Sequence, residues 1–307
     1  VVTSRFPNGS SMELLSAFGN GTWDVAKNHA LTLGVRLSDV RTRLPASDVH
    51  NTEVSGDIGW VADINDAWQL TANLGYGFRA PNVFDLGTLG NRPGNRFNIP
   101  NPDLESEQVI HGDVGIRYRG DRSELSLSVY NLHYSNRITS VGTGETTPEG
   151  RDITQSVNAA SSDVYGVEVT ASFEIGLLWF ANAKLGYTHG EQKVAGSVSE
   201  PADRIPPLSG YVSIEYSPET AFGFEAWARM AGAQDRLSTR DVRDTRINPD
   251  GTPGWASFGA RGTWQPSDKW LLTLGIDNVL DANYRRHGSG IDATGMNVEL
   301  RAVRSWR

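Results

Sequence analysis

The chain has 307 residues, of which 38% are apolar and 9% aromatic, with 33 glycines, no cysteine and a formal net charge of −8. The absence of cysteine excludes disulfide frameworks and thiol chemistry, and the acidic balance argues against nucleic acid as a main partner. No segment approaches the roughly 18 apolar residues of a transmembrane helix, and the mean hydropathy is −0.39, so a helical membrane protein is excluded. A transmembrane β-barrel is not excluded, because its apolar residues alternate with polar ones and keep the mean hydropathy low.

The dominant pattern along the chain is an alternation of apolar and polar residues with a period of two, which indicates β-strands. From Trp68 to Arg79 one parity is apolar and the other is polar or glycine without a lapse. The pattern predicts thirteen strands, in chain order at residues 12–24, 29–41, 52–62, 67–79, 106–118, 123–138, 154–175, 178–189, 207–217, 222–236, 254–265, 269–280 and 296–306.

Strand length separates two all-β folds that share this alternation. A soluble sandwich turns its apolar face inward, whereas a transmembrane barrel turns it towards lipid. The predicted strands run about ten to fourteen residues, while strands of globular proteins average about five or six and tilted membrane strands need about nine to eleven. We therefore predict an antiparallel up-and-down transmembrane β-barrel with about 13–14 long strands.

The connections between the strands alternate in length, which is typical of outer-membrane barrels with short turns on the periplasmic side. Short turns are predicted at residues 62–67, 119–122, 217–221 and 265–268, and long polar loops at residues 81–104, 190–204, 237–254 and 281–295. Aromatic residues flank the short turns: Trp60 and Trp68, Phe173 and Trp179, Tyr216 and Phe222, and Trp264 and Trp270. They suit a periplasmic aromatic girdle, although aromatic pairs beside hairpin turns also occur in soluble sheets.

Four motifs resemble those of one family of plugged barrels. Gly77-Phe78-Arg79-Ala80-Pro81 and Asn101-Pro102-Asp103-Leu104 resemble the "FRAP" and "NPNL" boxes of TonB-dependent outer-membrane receptors. Asp203-Arg204-Ile205-Pro206-Pro207 resembles the family's "RIPP" box, and residues 278–285 resemble its "N-L-F-D-x-x-Y-R" box. Residues 127–138 look like the strand that follows the NPNL box. Together the motifs cover most of the chain in the family's order.

The resemblance implies an outer-membrane receptor that imports an iron chelate or similar scarce nutrient, such as a siderophore, haem or cobalamin. Such receptors lie in the cell outer membrane of a Gram-negative bacterium and are energised by the TonB–ExbB–ExbD complex through a plug domain. We expect no enzymatic activity, no cofactor, a monomeric state, a small-molecule metal chelate as cargo, and contacts with membrane lipid and lipopolysaccharide. The alternative is a passive porin or another outer-membrane barrel, such as an adhesin or a barrel enzyme.

The odd number of predicted strands bears on whether this chain forms a whole barrel or part of one. Intact bacterial barrels have an even number of strands, and plugged transporters have roughly 22. We therefore expect residues 1–307 to form the C-terminal part of a receptor barrel, a fragment of a 22-stranded barrel, with no plug domain in this chain. A miscounted strand is the rival explanation.

The expected outer loops are rich in arginine, whose guanidinium group binds carboxylates, catecholates or propionates through paired hydrogen bonds. The candidate ligand-binding residues are Arg79, Arg92, Arg96, Arg240, Arg243, Arg286 and His287. We give more weight to the alternative that these arginines balance nearby acidic residues such as Asp235, Asp241 and Asp244, or contact lipopolysaccharide phosphates.

Haem requires an axial ligand such as His, Tyr or Met. Haem receptors of the family typically place a histidine between the FRAP and NPNL boxes, and residues 82–100 contain none. In contrast, Tyr284-Arg285-Arg286-His287-Gly288-Ser289-Gly290 looks like a segment common among haem receptors, so His287 is the residue to test. The six histidines are scattered without the spacing of metal ligands. Gly288-Ser289-Gly290 lies in a predicted loop and lacks the strand-to-helix turn that carries the nucleophilic serine of a hydrolase. We therefore assign no catalytic and no metal-binding residue.

Overall fold

A computed structural model describes residues 6–92, 95–194, 196–218 and 221–306. Within them, sixteen strands form one sheet. The strands are β1 (Ser11–Ala26), β2 (His29–Leu44), β3 (Ser47–Asp63), β4 (Trp68–Arg79), β5 (Gly90–Arg92), β6 (Arg96–Ile99), β7 (Glu107–Arg119), β8 (Ser123–Thr146), β9 (Asp152–Glu174), β10 (Trp179–Val194), β11 (Glu200–Pro201), β12 (Ser209–Tyr216), β13 (Phe222–Ala231), β14 (Trp255–Ser267), β15 (Trp270–Asp277) and β16 (Asn297–Arg304). The helices of these ranges are α1 (Val83–Gly87) and α2 (Thr239–Val242), and neither is long enough to cross a membrane.

The long strands follow one another in space as they do in sequence, in the order β1-β2-β3-β4-β7-β8-β9-β10-β12-β13-β14-β15-β16. Each neighbouring pair is antiparallel, from β1–β2 to β15–β16. The prediction of about 13–14 long up-and-down strands is therefore confirmed. Three short strands lie off this path: β11 pairs with β10, and the β5–β6 hairpin runs parallel to β9 through β6. Among the described residues β1 and β16 do not pair, so the sheet is open.

Some strands reach further into the expected loops than the alternation predicts. We expected a connection at residues 42–51, but β2 continues to Leu44 and β3 begins at Ser47. Arg41 pairs with Asp48 across this hairpin, and Arg43 pairs with Glu13 of β1 on the other side of β2. Opposite charges on neighbouring strands stabilise a sheet. Strands β8 and β9 likewise extend to 24 and 23 residues. In the opposite direction, β13 ends at Ala231, before the expected residue 236.

The apolar face of the sheet is exposed, which excludes a sandwich core. Val114 is 61% exposed, Leu74 55% and Leu300 78%. On β9 the outward face is apolar from Phe173 to Tyr165, and the next outward residue is Asp163. With a rise of about 3.3 Å per residue and a tilt of about 40°, the segment from Phe173 to Tyr165 spans a height of roughly 20 Å, close to the apolar band of about 25 Å of an outer-membrane barrel.

Aromatic residues from neighbouring strands meet beside the short turns. The ring centroids of Trp68 and Tyr118 are 4.9 Å apart, and those of Trp179 and Tyr216 are 5.0 Å apart. Phe222 and Trp264 stack at 5.8 Å. Because these rings lie on the outward face at one rim, they occupy the place expected for an interfacial girdle.

The buried core lies mainly where the long loops fold against the inner face of the strands. Its apolar members at this end are Val40, Ala80, Leu86, Leu104, Ala202 and Ile247. For example, the hydroxyl of Thr42 on β2 donates to the carbonyl oxygen of Pro81 at 3.4 Å. The long loops are therefore packed structures, and they position the candidate site.

Candidate functional site

The first loop junction joins β4, α1 and β7 through Arg79. Its Nη1 lies 2.6 Å from Oδ2 of Asp85, and its Nε lies 2.5 Å from Oε2 of Glu107. Asn82 caps α1 by accepting the backbone N–H groups of Phe84 and Asp85, at 2.8 and 3.1 Å, and Asp85 accepts the N–H of Asn82 at 3.1 Å. This reciprocal capping box satisfies the donors at the start of a very short helix.

Glu107 links this junction to β8 as well, because its Oε1 accepts the N–H of Ile138 at 2.7 Å. Burial raises the pKa of the Glu107 carboxyl, but the hydrogen bonds from Arg79 and Ile138 outweigh burial and hold that pKa below its ordinary value. The hydrogen bond to Glu107 in turn raises the pKa of Arg79. Arg79 thus holds two carboxylates and fastens the start of the β4–β7 loop to the sheet.

The second loop junction is centred on Arg204, which follows β11. Its backbone N–H donates to Oδ2 of Asp241 at 3.0 Å, and its guanidinium pairs with Asp244. Asp241 is only 1% exposed, and its own N–H donates to Oγ of Ser238, the cap of α2, at 3.0 Å. Arg204 has a φ of 59°, an uncommon conformation for a residue other than glycine, and these contacts hold it there.

His287 brings the β15–β16 loop to the same junction. Its Nδ1 lies 2.9 Å from Oγ1 of Thr252, and its Nε2 is buried with no hydrogen-bond partner among the described residues. Burial lowers the pKa of the His287 imidazole, the charge of Asp241 raises it, and the charge of Arg204 lowers it, with a net lowering. Three outer loops therefore meet around Arg204.

Beneath the second junction, a cleft of about 540 Å³ opens on the inner face of β9, β10, β12 and β13. We call it the inner cleft. Its cationic lining residues are Lys184, Arg229 and Arg286, and Arg229 pairs with Asp277 at 3.3 Å. Trp255 also lines the cleft and stacks on Tyr284 with ring centroids 4.1 Å apart. Cationic groups beside stacked rings suit a ligand that carries both anionic and aromatic groups.

Two of the predicted ligand-binding residues, Arg286 and His287, lie together on the inner cleft. Arg79 lies in the first junction, where it is paired with two carboxylates. Arg92 and Arg96 face each other across the β5–β6 hairpin, and the guanidinium of Arg92 lies 5.4 Å from the ring centroid of Phe84. The structure therefore separates the candidates of the β4–β7 loop from those at the cleft.

The two remaining candidates, Arg240 and Arg243, lie in and directly after α2, and neither lines the inner cleft. Arg240 of α2 pairs with Asp203 at 3.1 Å. Arg243 is exposed and makes no ion pair within the described ranges. Many loop arginines are paired with acids, as the charge-balance interpretation expected: Arg236 with Glu191, Arg246 with Asp244 and Arg285 with Asp292.

Sequence reasoning missed three strand residues of the inner cleft. Lys184 on β10, Tyr211 on β12 and Arg229 on β13 are in register across adjacent strands. Each occupies the polar parity of its strand, which predicts an inward side chain. No motif marks them, because their proximity depends on the register between strands.

The motifs, the thirteen-strand order and the folded outer loops match one family. The family model described as "TonB dependent receptor-like, beta-barrel" matches residues 2–279. The chain belongs to the TonB-dependent receptor β-barrel family. This is a family of receptors and not of enzymes.

Curated relatives of the receptor are similar over nearly the whole chain. The ferric enterobactin receptor PirA of Pseudomonas aeruginosa is 22% identical over 94% of the chain and 40% of the relative. The pesticin receptor of Yersinia enterocolitica serotype O:8 is 22% identical over 91% of the chain and 41% of the relative. The chain thus spans about 40% of the length of the curated relatives it matches.

Solved structures share the fold of the receptor chain. The copper transporter OprC superposes with a TM-score of 0.81 at 21% identity, covering 97% of this chain and 48% of that one. The siderophore receptor PirA from Acinetobacter baumannii superposes with a TM-score of 0.77 at 15% identity, covering 96% of this chain and 46% of that one. These likenesses establish a receptor-barrel fold.

Proposed function

We propose that this chain is part of an outer-membrane receptor that takes up a ferric siderophore, energised through TonB. The observation that carries the proposal is the family match over residues 2–279, and relatives described as ferric enterobactin receptors support the cargo class. On this proposal residues 1–307 supply the C-terminal part of a barrel of roughly 22 strands in the outer membrane of a Gram-negative bacterium. The plug domain and the contact with TonB–ExbB–ExbD then belong to parts of the receptor outside this chain.

The inner cleft supports a siderophore in preference to haem. Ferric siderophores carry anionic oxygen groups, and Lys184, Arg229 and Arg286 offer charge-assisted hydrogen bonds to such groups. His287, the residue expected to bind haem, has its Nδ1 engaged by Thr252 and its Nε2 buried. An axial ligand to haem iron needs an accessible ring nitrogen, which this arrangement does not offer.

The test is uptake of radioactive iron by a strain lacking the complete receptor gene. We expect uptake from at least one ferric siderophore to fall at least tenfold on deletion and to be restored by the full-length gene. Inactivating TonB in the complemented strain should abolish that uptake, whereas a passive porin would continue to admit its solute. Unchanged uptake of every siderophore, together with loss of haem or cobalamin uptake, would contradict the cargo class and leave the receptor class intact.

A further inference from the structure

The inner cleft holds a carboxylate beside its cationic groups. Glu168 on β9 lines the cleft together with Lys184 and Arg286. All three side chains are exposed, and none of them makes an ion pair or a side-chain hydrogen bond with another described residue. An unpaired carboxylate at this place disfavours a purely anionic ligand, because like charges repel.

Glu168 stands at one end of a row of inward-facing residues that crosses the cleft. From β9 to β14 each residue of the row pairs with the next, in the order Glu168, Gly186, Ser209, Ala231 and Trp255. We call the stretch formed by Gly186, Ser209 and Ala231 the trough. Apart from its chain neighbours, a Cβ placed on Gly186 would meet only the Oγ of Ser209 within 4 Å among the described residues, at 3.9 Å. The trough is therefore open space between a carboxylate and an aromatic ring.

Lys184 and Arg229 lie on the neighbouring inward row, on the side of the short turns. Lys184 pairs with Tyr211, and Tyr211 pairs with Arg229. Lys184 is thus a diagonal neighbour of Glu168, because Glu168 pairs with Gly186 two positions further along β10. Diagonal neighbours are within reach of long side chains, yet these two described residues form no ion pair. Both charges are therefore available to a ligand.

The length of the row suits a chelate that carries a side arm. Neighbouring strands lie about 4.8 Å apart, so the four steps from β9 to β14 separate Glu168 from Trp255 by at most about 19 Å. Trp255 stacks on Tyr284, and Arg286 follows two residues later on the same side of the cleft as Arg229. Guanidinium groups and stacked rings thus gather at one end of the trough, and the carboxylate lies at the other.

We infer that the inner cleft selects a ferric chelate whose side arm ends in a cationic nitrogen group, either a primary amine or a guanidinium. The anionic iron-binding head lies against Arg286 and Trp255. The side arm follows the trough, and its cationic group pairs with Glu168. Inside a barrel such a charge pair is worth more than in bulk water, because the surrounding protein lowers the effective dielectric constant. The inference rests on the proposed function, since it narrows the cargo of the same site.

The experiment measures the binding of two synthetic ferric tris-catecholate chelates to the full-length receptor purified in detergent. Both carry the same iron-binding head and a side arm long enough to cross the trough, which ends in a primary amine in the first and in the acetamide of that amine in the second. The wild-type receptor should bind the amine chelate at least roughly tenfold more tightly, because the acetamide offers no charge to Glu168. Glu168→Gln should make the two Kd values equal by weakening only the amine chelate.

Two further variants separate recognition of the amine from a general effect on the cleft. Glu215→Gln is the matched control, since Glu215 is an inward glutamate opposite Phe180 on β10 and does not line the cleft. It should bind both chelates like the wild type. Arg286→Gln should weaken both chelates by a similar factor and keep the preference for the amine.

The outcomes separate this inference from the proposed function. Equal affinity of the wild type for the two chelates would overturn the inference, as would a preference that survives in Glu168→Gln or an equal loss of both chelates in that variant. Binding of neither chelate by a receptor that supports TonB-dependent uptake of a ferric siderophore would also overturn it and leave the proposed function intact. Absence of all such uptake would instead contradict the proposed function.

Discussion

The backbone N–H of Arg204 donates to the buried carboxylate of Asp241 at 3.0 Å, although 37 residues separate them in the chain. The same arginine pairs with Asp244 through its side chain. Because Asp241 is almost completely buried, its charge needs this N–H donor and the Arg204 guanidinium, whose Nε lies 3.8 Å from the other carboxylate oxygen. The outer loops around the inner cleft are thus tied together by a buried polar junction.

Loss of the Arg204 side chain should loosen the loops of the second junction. In Arg204→Gln, Asp244 keeps Arg246 but loses Arg204, and the buried Asp241 loses the guanidinium that lies 3.8 Å from its Oδ1. We expect a stability loss of about 1–3 kcal/mol. Hydrogen exchange of the full-length receptor should become faster in residues 237–246 and 284–290. The control is Arg243→Gln, which removes an exposed guanidinium from the same loop. Equal protection in the two variants would contradict the assigned role of Arg204.

The first junction should weaken in acid. The pKa of Glu107 is held below its ordinary value of 4.5 by Arg79 and Ile138. A carboxylate with a lowered folded-state pKa stabilises the fold above its unfolded pKa, and this contribution is lost as the pH falls through the folded-state value. We expect residues 82–105 to exchange faster below about pH 4.5. Glu107→Gln should show fast exchange at neutral pH and a smaller acid response; an identical acid response would rule Glu107 out as the cause.

His287 should not ligate haem iron. Its Nδ1 is occupied by Thr252 and its Nε2 is buried, so a haem iron has no accessible nitrogen to approach. We expect the haem absorption spectrum of the full-length receptor to be the same for the wild type and His287→Ala. A shift of the Soret band that is present in the wild type and absent from the variant would show that haem reaches His287.

Arg286 should contribute to the affinity for an anionic chelate. It lines the inner cleft, and removal of a charge-assisted hydrogen bond costs about 1.5–3 kcal/mol, which corresponds to roughly a 10- to 150-fold rise in Kd. Titration of the full-length receptor with the transported ferric siderophore should show this rise for Arg286→Ala. Arg243→Ala, outside the cleft, should bind like the wild type. Equal affinities for all three proteins would remove Arg286 from the binding site.

The two faces of β8 should differ in how much an introduced charge destabilises the fold. Leu127 is outward and Ser128 is inward, as their pairing with Ile116 and Gly115 shows. A lipid-facing arginine near the bilayer midplane costs about 2–4 kcal/mol, so Leu127→Arg should lower the folding stability of the full-length receptor in lipid vesicles. Ser128→Arg, one residue further along, should cost much less. Equal losses would contradict the membrane-facing assignment of the apolar parity.

Much of the fold was predictable from local patterns. Alternation over residues 68–79 predicts both the strand β4 and the face that each side chain occupies, since successive side chains of a strand point to opposite sides. The exact ends were not predictable: the residues between 42 and 51 look like a loop until Arg41 and Asp48 are seen to pair across the hairpin. The site was less predictable still, because Arg79 fits a ligand-binding residue by type and is found holding Asp85 and Glu107.

The sequence by itself determined the strand count, the apolar parity and the family motifs, all of which depend on residues close together in the chain. Only the tertiary structure decided that Arg204 joins three loops and that Arg286 and His287 share the inner cleft with Lys184 and Arg229. These groupings depend on the register between strands and on how long loops fold back. Both are set by contacts between residues far apart in the chain, which a local pattern does not encode.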